Sequence, residues 1–155
     1  MKAIVEWKEA MTFEAKAREH TFTLDTASLG GRDRGATPKE ALIASILGCS
    51  GMDVVAILKK QRIELKSFSM TGNAEARDTH PRIFPKIDVV FDLRVEMKNP
   101  ETDIPKVVGA VALSMTKYCG VSAMVAPTSP IFYTVLVNGE IEARDQANFP
   151  PEPAV

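Results

Sequence analysis

The residues with the clearest chemical potential in this sequence are its two cysteines, Cys49 and Cys119. Each lies beside a glycine, in "LGCSG" and in "KYCG", where the small neighbour lets a substrate or a second sulfur approach the thiol. A thiolate is a nucleophile, whereas a buried cysteine packs as a small hydrophobic residue. The residues alone therefore leave two interpretations, a reactive thiol pair and a pair of packing thiols.

Other common catalytic and binding motifs do not match. The sequence contains neither the C-x-x-C of thioredoxin-like sites nor the G-x-S-x-G of serine hydrolases. The glycine-rich stretch "GGRDRG" lacks the lysine and serine of a phosphate-binding loop. His20 and His80 have no metal-ligand spacing to each other or to the cysteines. We therefore expect neither a bound metal nor a cofactor.

Length and composition indicate an ordinary globular protein. The chain has 155 residues, 45% of them hydrophobic and 25% charged, which suits one domain spanning residues 1–155. A formal net charge of −1 gives no basic surface, so a nucleic-acid partner is not expected. The charged N-terminus does not resemble a signal peptide, and the apolar run Ala41–Gly51 is too short to span a bilayer. We expect a cytoplasmic protein without a membrane partner.

A helix is predicted to carry the first cysteine. Thr37 suits the N-cap, Pro38 the first helical position, and Glu40 the place from which a side chain reaches back to the cap. The pattern extends the helix to about Gln61. Because only serines interrupt the apolar run Ala41–Gly51, we expect this helix to be central and enclosed nearly all round.

A second helix is predicted to lead to the other cysteine. It begins near Asp103, has Pro105 in its first turn, and stops at Gly120. Cys119 then lies at the helix break. If "GVSAMV" begins a new helical turn, a thiolate at position 119 would also gain from the dipole of that turn.

The remaining pattern predicts strands around these helices. Alternating apolar residues indicate strands at 2–8, 20–25, 68–76, 86–96, 131–137 and 140–143. The loop Ser28–Ala36 is predicted to be a flexible connector and the tail from Asn148 a loose extension. The order of elements favours an α+β fold, an antiparallel β-sheet with two long central helices.

Three segments resemble a known family. "TPKEALIASILGCSGMDVVAILKK" is similar to the central cysteine helix of the OsmC/Ohr proteins, and "MTKYCGVSAMV" resembles the segment that carries their second cysteine. "PRIFPKIDVVFDLRVE" is similar to the strand between the two. With the N-terminal strands, the resemblance extends to about Val137 and is strongest to the OsmC-like branch.

The resemblance implies a cysteine-based, peroxiredoxin-like peroxidase that reduces organic hydroperoxides in an antioxidant, oxidative stress response. It also implies an intertwined homodimer with its sites at the interface. By the same match, Cys49 is the peroxidatic cysteine and Cys119 the resolving one. Cys49 would become a sulfenic acid, Cys119 would condense with it to a disulfide, and a dithiol reductant would restore both thiols.

Glu40 matches the glutamate that, with an arginine, polarises the site in this family. Arg18 is the nearest match to that arginine, with Arg32 and Arg34 as competitors in the glycine-rich loop. Glu40 precedes the first cysteine by nine residues, about 13 Å along a straight helix and on the opposite face. Glu40 can therefore serve that thiol only across a kink or from a second chain, and its alternative role is to cap the helix at Thr37.

Two further interpretations stay open. A protein with the same fold could instead bind a small or lipidic ligand in an apolar pocket at the dimer interface, as the apolar central helix suggests. Alternatively, the apolar helices could serve only as dimer core, with both thiols as packing.

Overall fold

The computed structural model describes residues 1–150, so the last five residues of the predicted loose tail lie outside the described part. Two compact units are present, Met1–Ala44 and Ser45–Val155, and their boundary falls within the first helix. The elements are β1 Ala3–Glu9, β2 Thr12–Ala17, β3 His20–Leu24, α1 Pro38–Lys60, β4 Glu64–Asn73, β5 Ile87–Glu96, α2 Pro100–Leu113, a π-helical turn Ser114–Tyr118, α3 Gly120–Val125, β6 Ile131–Val137 and β7 Glu140–Gln146.

The first unit is an antiparallel meander in the order β1-β2-β3. The alternation predicted β1 and β3, whereas β2 was not located from the sequence. The glycine-rich loop of this unit has a buried polar anchor in place of the flexible course predicted from sequence. The Asp25 carboxylate accepts hydrogen bonds from Thr12 Oγ1 at 2.9 Å, the Thr26 amide at 2.7 Å and the Arg34 amide at 3.2 Å. A Cβ at Gly31 would lie 1.8 Å from the Thr26 carbonyl oxygen. Glycine there permits close packing of the loop.

The second unit contains a four-stranded sheet in the order β4-β5-β6-β7. The inward residues of β5 and β6 alternate and form the core; they are Ile87, Val89, Phe91, Leu93, Val95, Ile131, Tyr133, Val135 and Val137. The α+β class is confirmed. The sheet is mixed, however, since β5 and β6 are parallel and the other pairs antiparallel. The parallel pair is possible because α2, the π-helical turn and α3 form the long crossover that parallel strands need.

Helix α1 begins as predicted. The Thr37 amide donates to Glu40 Oε2 at 2.7 Å and the Glu40 amide donates to Thr37 Oγ1 at 3.3 Å, which confirms the capping box. The prediction that α1 is enclosed nearly all round by other parts of the protein is wrong for the single chain. Ile46 is fully buried, but Met52 and Val55 are 76% and 45% exposed. One apolar side of α1 is therefore uncovered.

By length and composition alone, α1 is one helix among the described residues that could cross a membrane. Core helices of proteins without a membrane segment have the same composition, so this property is weak support for a membrane span.

Helix α2 begins at Pro100, slightly before the predicted start near Asp103. The Asn99 side chain accepts a hydrogen bond from the Glu101 amide at 3.1 Å. Asp103 is 6% exposed, and its Oδ2 accepts from the amides of Lys98 at 3.0 Å and Asn99 at 3.1 Å. Lys106 Nζ lies 3.0 Å from Asp103 Oδ1. The Asp103 carboxylate thus holds together the start of α2 and the residues before it.

We expect Asp103 to make the fold sensitive to acid. Hydrogen bonds from the Asn99 amide and from Lys106 lower the pKa of Asp103 to about 2, from an ordinary value of 3.8. Its stabilisation should therefore be full above the unfolded-state value of 3.8 and should disappear as the pH falls through about 2. The free energy of unfolding of the native protein should exceed that of Asp103→Asn at neutral pH, with the difference shrinking on acidification.

Chemical denaturation at a series of pH values measures this difference. The matched control is Glu142→Gln, at an exposed position on β7, which should show a smaller difference from the native protein. A gap between the native protein and Asp103→Asn that stays constant through the acidic range would contradict the assignment.

Candidate functional site

Helix α1 supplies one sulfur and one carboxylate to the candidate site. Cys49 and Asp53 are four residues apart, so both side chains lie on the same face of α1. Both are half-buried. Ser50, between them, is fully buried and donates its hydroxyl to the Ile46 carbonyl at 2.8 Å. The Cys49 thiol therefore lies at the boundary between the buried face and the solvent-exposed face of α1.

The second sulfur is positioned by a change of helix geometry. After α2 the chain makes the π-helical turn, and the Cys119 amide donates to the Ser114 carbonyl at 3.0 Å, five residues earlier. Cys119 itself leaves the helix with φ −70° and ψ 96° and becomes the N-cap of α3. Its Sγ accepts hydrogen bonds from the Ser122 amide at 3.4 Å and from Ser122 Oγ at 3.0 Å. The predicted helix break at Cys119 and the new turn after it are confirmed.

The fold brings these groups together. The Sγ atoms of Cys49 and Cys119 and a carboxylate oxygen of Asp53 all lie within 4.8 Å of one another. Side chains far apart in sequence thus form a compact cluster of two thiols and one carboxylate.

Ser114 connects the two halves of this cluster. It is fully buried, and its Oγ lies 3.1 Å from Asp53 Oδ2 and 3.3 Å from the Ser50 carbonyl oxygen. Both of these acceptors belong to α1, so the Ser114 hydroxyl donates its proton to that helix whichever of the two it binds. The first residue of the π-helical turn is therefore fixed directly to the helix that carries the other thiol.

The two thiols differ in environment. Cys119 is fully buried, and burial raises its pKa to about 11. The hydrogen bonds from Ser122 oppose this rise, whereas the neighbouring Cys49 adds to it. Cys119 is therefore a neutral thiol at physiological pH, and the more accessible Cys49 is the better placed nucleophile.

Glu40 is held at the start of α1. Its Oε2 accepts from the Thr37 amide and from Thr37 Oγ1, at 2.7 Å and 2.8 Å. These bonds lower the pKa of Glu40, so its carboxylate is ionised and occupied by the helix cap. Within one continuous helix, nine residues still separate it from Cys49 by about 13 Å along the axis.

The three arginines considered from sequence lie in the first unit, whereas both cysteines lie in the second. Arg18 is exposed in the turn between β2 and β3, with a positive φ of 57°. Arg32 and Arg34 both form ion pairs with Glu9, at 3.0 Å and 2.7 Å.

Three contributors to the cluster were missed from sequence. The four-residue spacing of Cys49 and Asp53 on a predicted helix was a signal that could have identified the carboxylate. Ser122 follows Cys119 by three residues, which is the spacing of an N-cap contact. Ser114 gave no such signal, because its partner Asp53 is 61 positions away and only the tertiary fold connects them.

An apolar groove lies along the exposed side of α1. Its volume is about 580 Å³, and it is lined by Leu47, Gly48, Gly51, Met52, Val55, Ala56, Phe68 and Met70. Gly48 and Met52 lie one residue before and three residues after Cys49. The groove therefore borders the helical turn that carries the half-buried thiol.

Most of the chain resembles known proteins. A family model described as OsmC-like protein matches residues 30–133. Protein YhfA of Escherichia coli (strain K12) is 33% identical over 125 residues, which cover 80% of this chain and 88% of YhfA. The crystal structure of a hypothetical protein from Aquifex aeolicus VF5 has a TM-score of 0.75 and 33% identity, covering 90% of this chain and 96% of the other.

A more distant similarity concerns the fold alone. The crystal structure of an organic hydroperoxide resistance protein OsmC from Legionella pneumophila has a TM-score of 0.58 and 18% identity. It covers 88% of this chain and 94% of the Legionella chain.

The difference between the thiols predicts selective alkylation. In the reduced native protein, iodoacetamide should modify Cys49 at least about tenfold faster than Cys119, because Cys49 is only half-buried whereas Cys119 is fully buried and protonated. Peptide mass spectrometry after timed quenching measures both rates. The Cys49→Ser variant is the control and should resist modification until denaturant is added. Equal rates at the two cysteines in the native protein would contradict this description of the site.

Proposed function

The chain belongs to the OsmC-like family, and on this premise we propose that it is a thiol-dependent peroxidase that reduces organic hydroperoxides. The observation that carries the proposal is the approach of the Cys49 and Cys119 sulfurs to within 4.8 Å. A sulfenic acid formed at one sulfur would have the second thiol within reach after small side-chain rotations. The hydroperoxide resistance named for the Legionella structure supports the substrate class by analogy.

The first step uses Cys49. Its thiolate attacks the terminal oxygen of the hydroperoxide, the O–O bond breaks, and the departing alkoxide takes up a proton to give an alcohol. Cys49 is thereby oxidised to a sulfenic acid. Its position beside the groove on α1 gives an organic substituent of the peroxide an apolar surface to occupy.

The second step uses Cys119. Its sulfur attacks the Cys49 sulfenic sulfur, a disulfide forms, and water leaves. Since its pKa of about 11 keeps Cys119 protonated, this step needs a base. The Asp53 carboxylate, within 4.8 Å of both sulfurs, can accept the proton. A dithiol reductant then exchanges with the disulfide and returns both cysteines to thiols.

Glu40 and Arg18 complete the proposal by resemblance to the family. Glu40 would polarise the site together with an arginine, for which Arg18 is the candidate and Arg32 or Arg34 the alternatives. Since Glu40 is displaced along α1 from the thiol of its own chain, this role requires the helix start of a second chain. Capping and polarisation can coexist, because a carboxylate has four lone-pair sites and Thr37 uses a single oxygen.

We further propose a cytoplasmic homodimer. The uncovered side of α1 supports it, because Leu42, Met52 and Val55 are large apolar residues left exposed on one helix. Burying such a surface against a second copy is favourable at roughly 25 cal/mol per Å² of apolar area. The same contact would give the groove a second wall.

A second candidate function is the binding of a small apolar or lipidic ligand without turnover. The groove of about 580 Å³ on α1 favours it, because this volume falls within the range of small-molecule sites. Co-purification of a ligand from a protein that consumes no peroxide would support this function over the peroxidase.

The peroxidase proposal predicts distinct consequences for the two cysteines. Consumption of cumene hydroperoxide with a dithiol reductant should fall at least about a hundredfold in Cys49→Ser, because the nucleophile is lost. Cys119→Ser should instead accumulate a Cys49 sulfenic acid that dimedone traps, while the native protein forms an intramolecular disulfide. Peroxide assays and intact-protein mass spectrometry make the comparison. Activity that survives in Cys49→Ser would exclude this mechanism.

The homodimer predicts a mass of twice the 16.9 kDa chain in sedimentation velocity. Met52→Glu should shift the protein toward monomer, because the charge would be buried in the interface. Ile141→Glu, on the exposed β7, is the matched control and should leave the mass unchanged. A native monomer at micromolar concentration would refute the dimer.

A further inference from the structure

We propose that Cys49, Asp53 and Cys119 form a zinc-binding site in the reduced protein. The observation is the convergence of two sulfurs and one carboxylate oxygen within 4.8 Å of one another. The proposal does not depend on peroxidase activity. It revises the sequence-based expectation of no metal, which rested on the absence of closely spaced ligands and did not consider ligands brought together by the fold.

The separations fit a tetrahedral metal after small adjustments. Zinc binds sulfur at about 2.3 Å and carboxylate oxygen at about 2.1 Å, so tetrahedral ligands lie about 3.6 to 3.8 Å apart. The observed upper limit of 4.8 Å exceeds this spacing by about 1 Å, which side-chain rotation can supply. The backbone of α1 and of the segment before α3 can therefore stay in place.

Outer hydrogen bonds already orient two of the three ligands. Ser114 Oγ lies 3.1 Å from Asp53 Oδ2, which leaves the other carboxylate oxygen available to a metal. Ser122 donates to Cys119 Sγ from its amide at 3.4 Å and from its hydroxyl at 3.0 Å. Ser114 and Ser122 are both fully buried, so water does not compete for these bonds. Donors to the ligand atoms are typical of protein metal sites and tune their affinity.

The chemistry of the ligands selects the metal. Two thiolates and a carboxylate favour zinc over magnesium or calcium, which prefer oxygen ligands alone. Three protein ligands leave the fourth tetrahedral position for water or a small anion. Both thiols release their protons on binding. A sulfur held by zinc cannot form the disulfide, so zinc binding and the proposed peroxidase cycle would be mutually exclusive.

The test is a titration of the reduced, metal-free full-length protein with Co²⁺ under anaerobic conditions, followed by displacement with Zn²⁺. We expect one metal per chain, a thiolate-to-cobalt charge-transfer band, and the intense visible bands of a tetrahedral site. Cys49→Ser and Cys119→Ser should each reduce the charge-transfer intensity. Asp53→Asn should retain that intensity but weaken Zn²⁺ binding at least about tenfold.

Two further variants separate ligation from a general effect on folding. Ser114→Ala should weaken Zn²⁺ binding by about tenfold through loss of the Asp53 hydrogen bond, and Glu142→Gln should bind as the native protein does. Circular dichroism confirms that each variant is folded. Absence of the charge-transfer band in the native protein, or equal Zn²⁺ affinity in native protein and Asp53→Asn, would overturn the site. Because no peroxide is present, failure of the peroxidase proposal would leave these results unchanged.

Discussion

The thiol cluster depends on one local departure from α-helical geometry, the π-helical turn Ser114–Tyr118. A hydrogen bond that spans five residues instead of four inserts an extra residue into the turn, which rotates the following residue by about 100° around the axis. This turn ends at Cys119, whose amide makes the last of these bonds. Its first residue, Ser114, donates to α1. Both the direction of the second sulfur and its distance from the first therefore follow from this turn.

The packing around α1 determines how far the thiol cluster is exposed to solvent. Gly51 is a buried residue of α1 at the base of the groove, and it permits close packing: a Cβ there would lie 3.1 Å from Met70 Sδ. The same helix exposes Met52 one residue later. Cys49 lies at the edge between these two environments, half-buried and with its sulfur within 4.8 Å of the Cys119 sulfur. The peroxidase and zinc proposals both use this edge, and they differ in whether the sulfurs bond to each other or to a metal.

Local signals in the sequence predicted the elements better than their assembly. The capping box formed by Thr37 and Glu40 correctly predicted the start of α1, and the alternation of apolar residues correctly predicted β5. Both signals involve only residues that are close together in the sequence. The parallel pairing of β5 and β6 was not predicted, since strand direction depends on the path of the whole crossover. The contact between Ser114 and Asp53 was not predicted either, since the two residues are 61 positions apart and only the tertiary fold brings them together. The enclosure of α1 was overestimated because an apolar sequence cannot distinguish burial within one chain from burial against another.

The position of the thiols in the chain has a consequence for stability. The segment between Cys49 and Cys119 contains β4, β5 and α2, so a bond between the two sulfurs would close a long covalent loop around half of the second unit's sheet. Such a loop restricts the unfolded chain much more than the folded one, by about 4 kcal/mol in the chain-entropy model. The redox state of the pair would then be coupled to the folding equilibrium. Oxidation to the disulfide would stabilise the fold, and reduction of the disulfide in the folded protein would be less favourable by the same free energy.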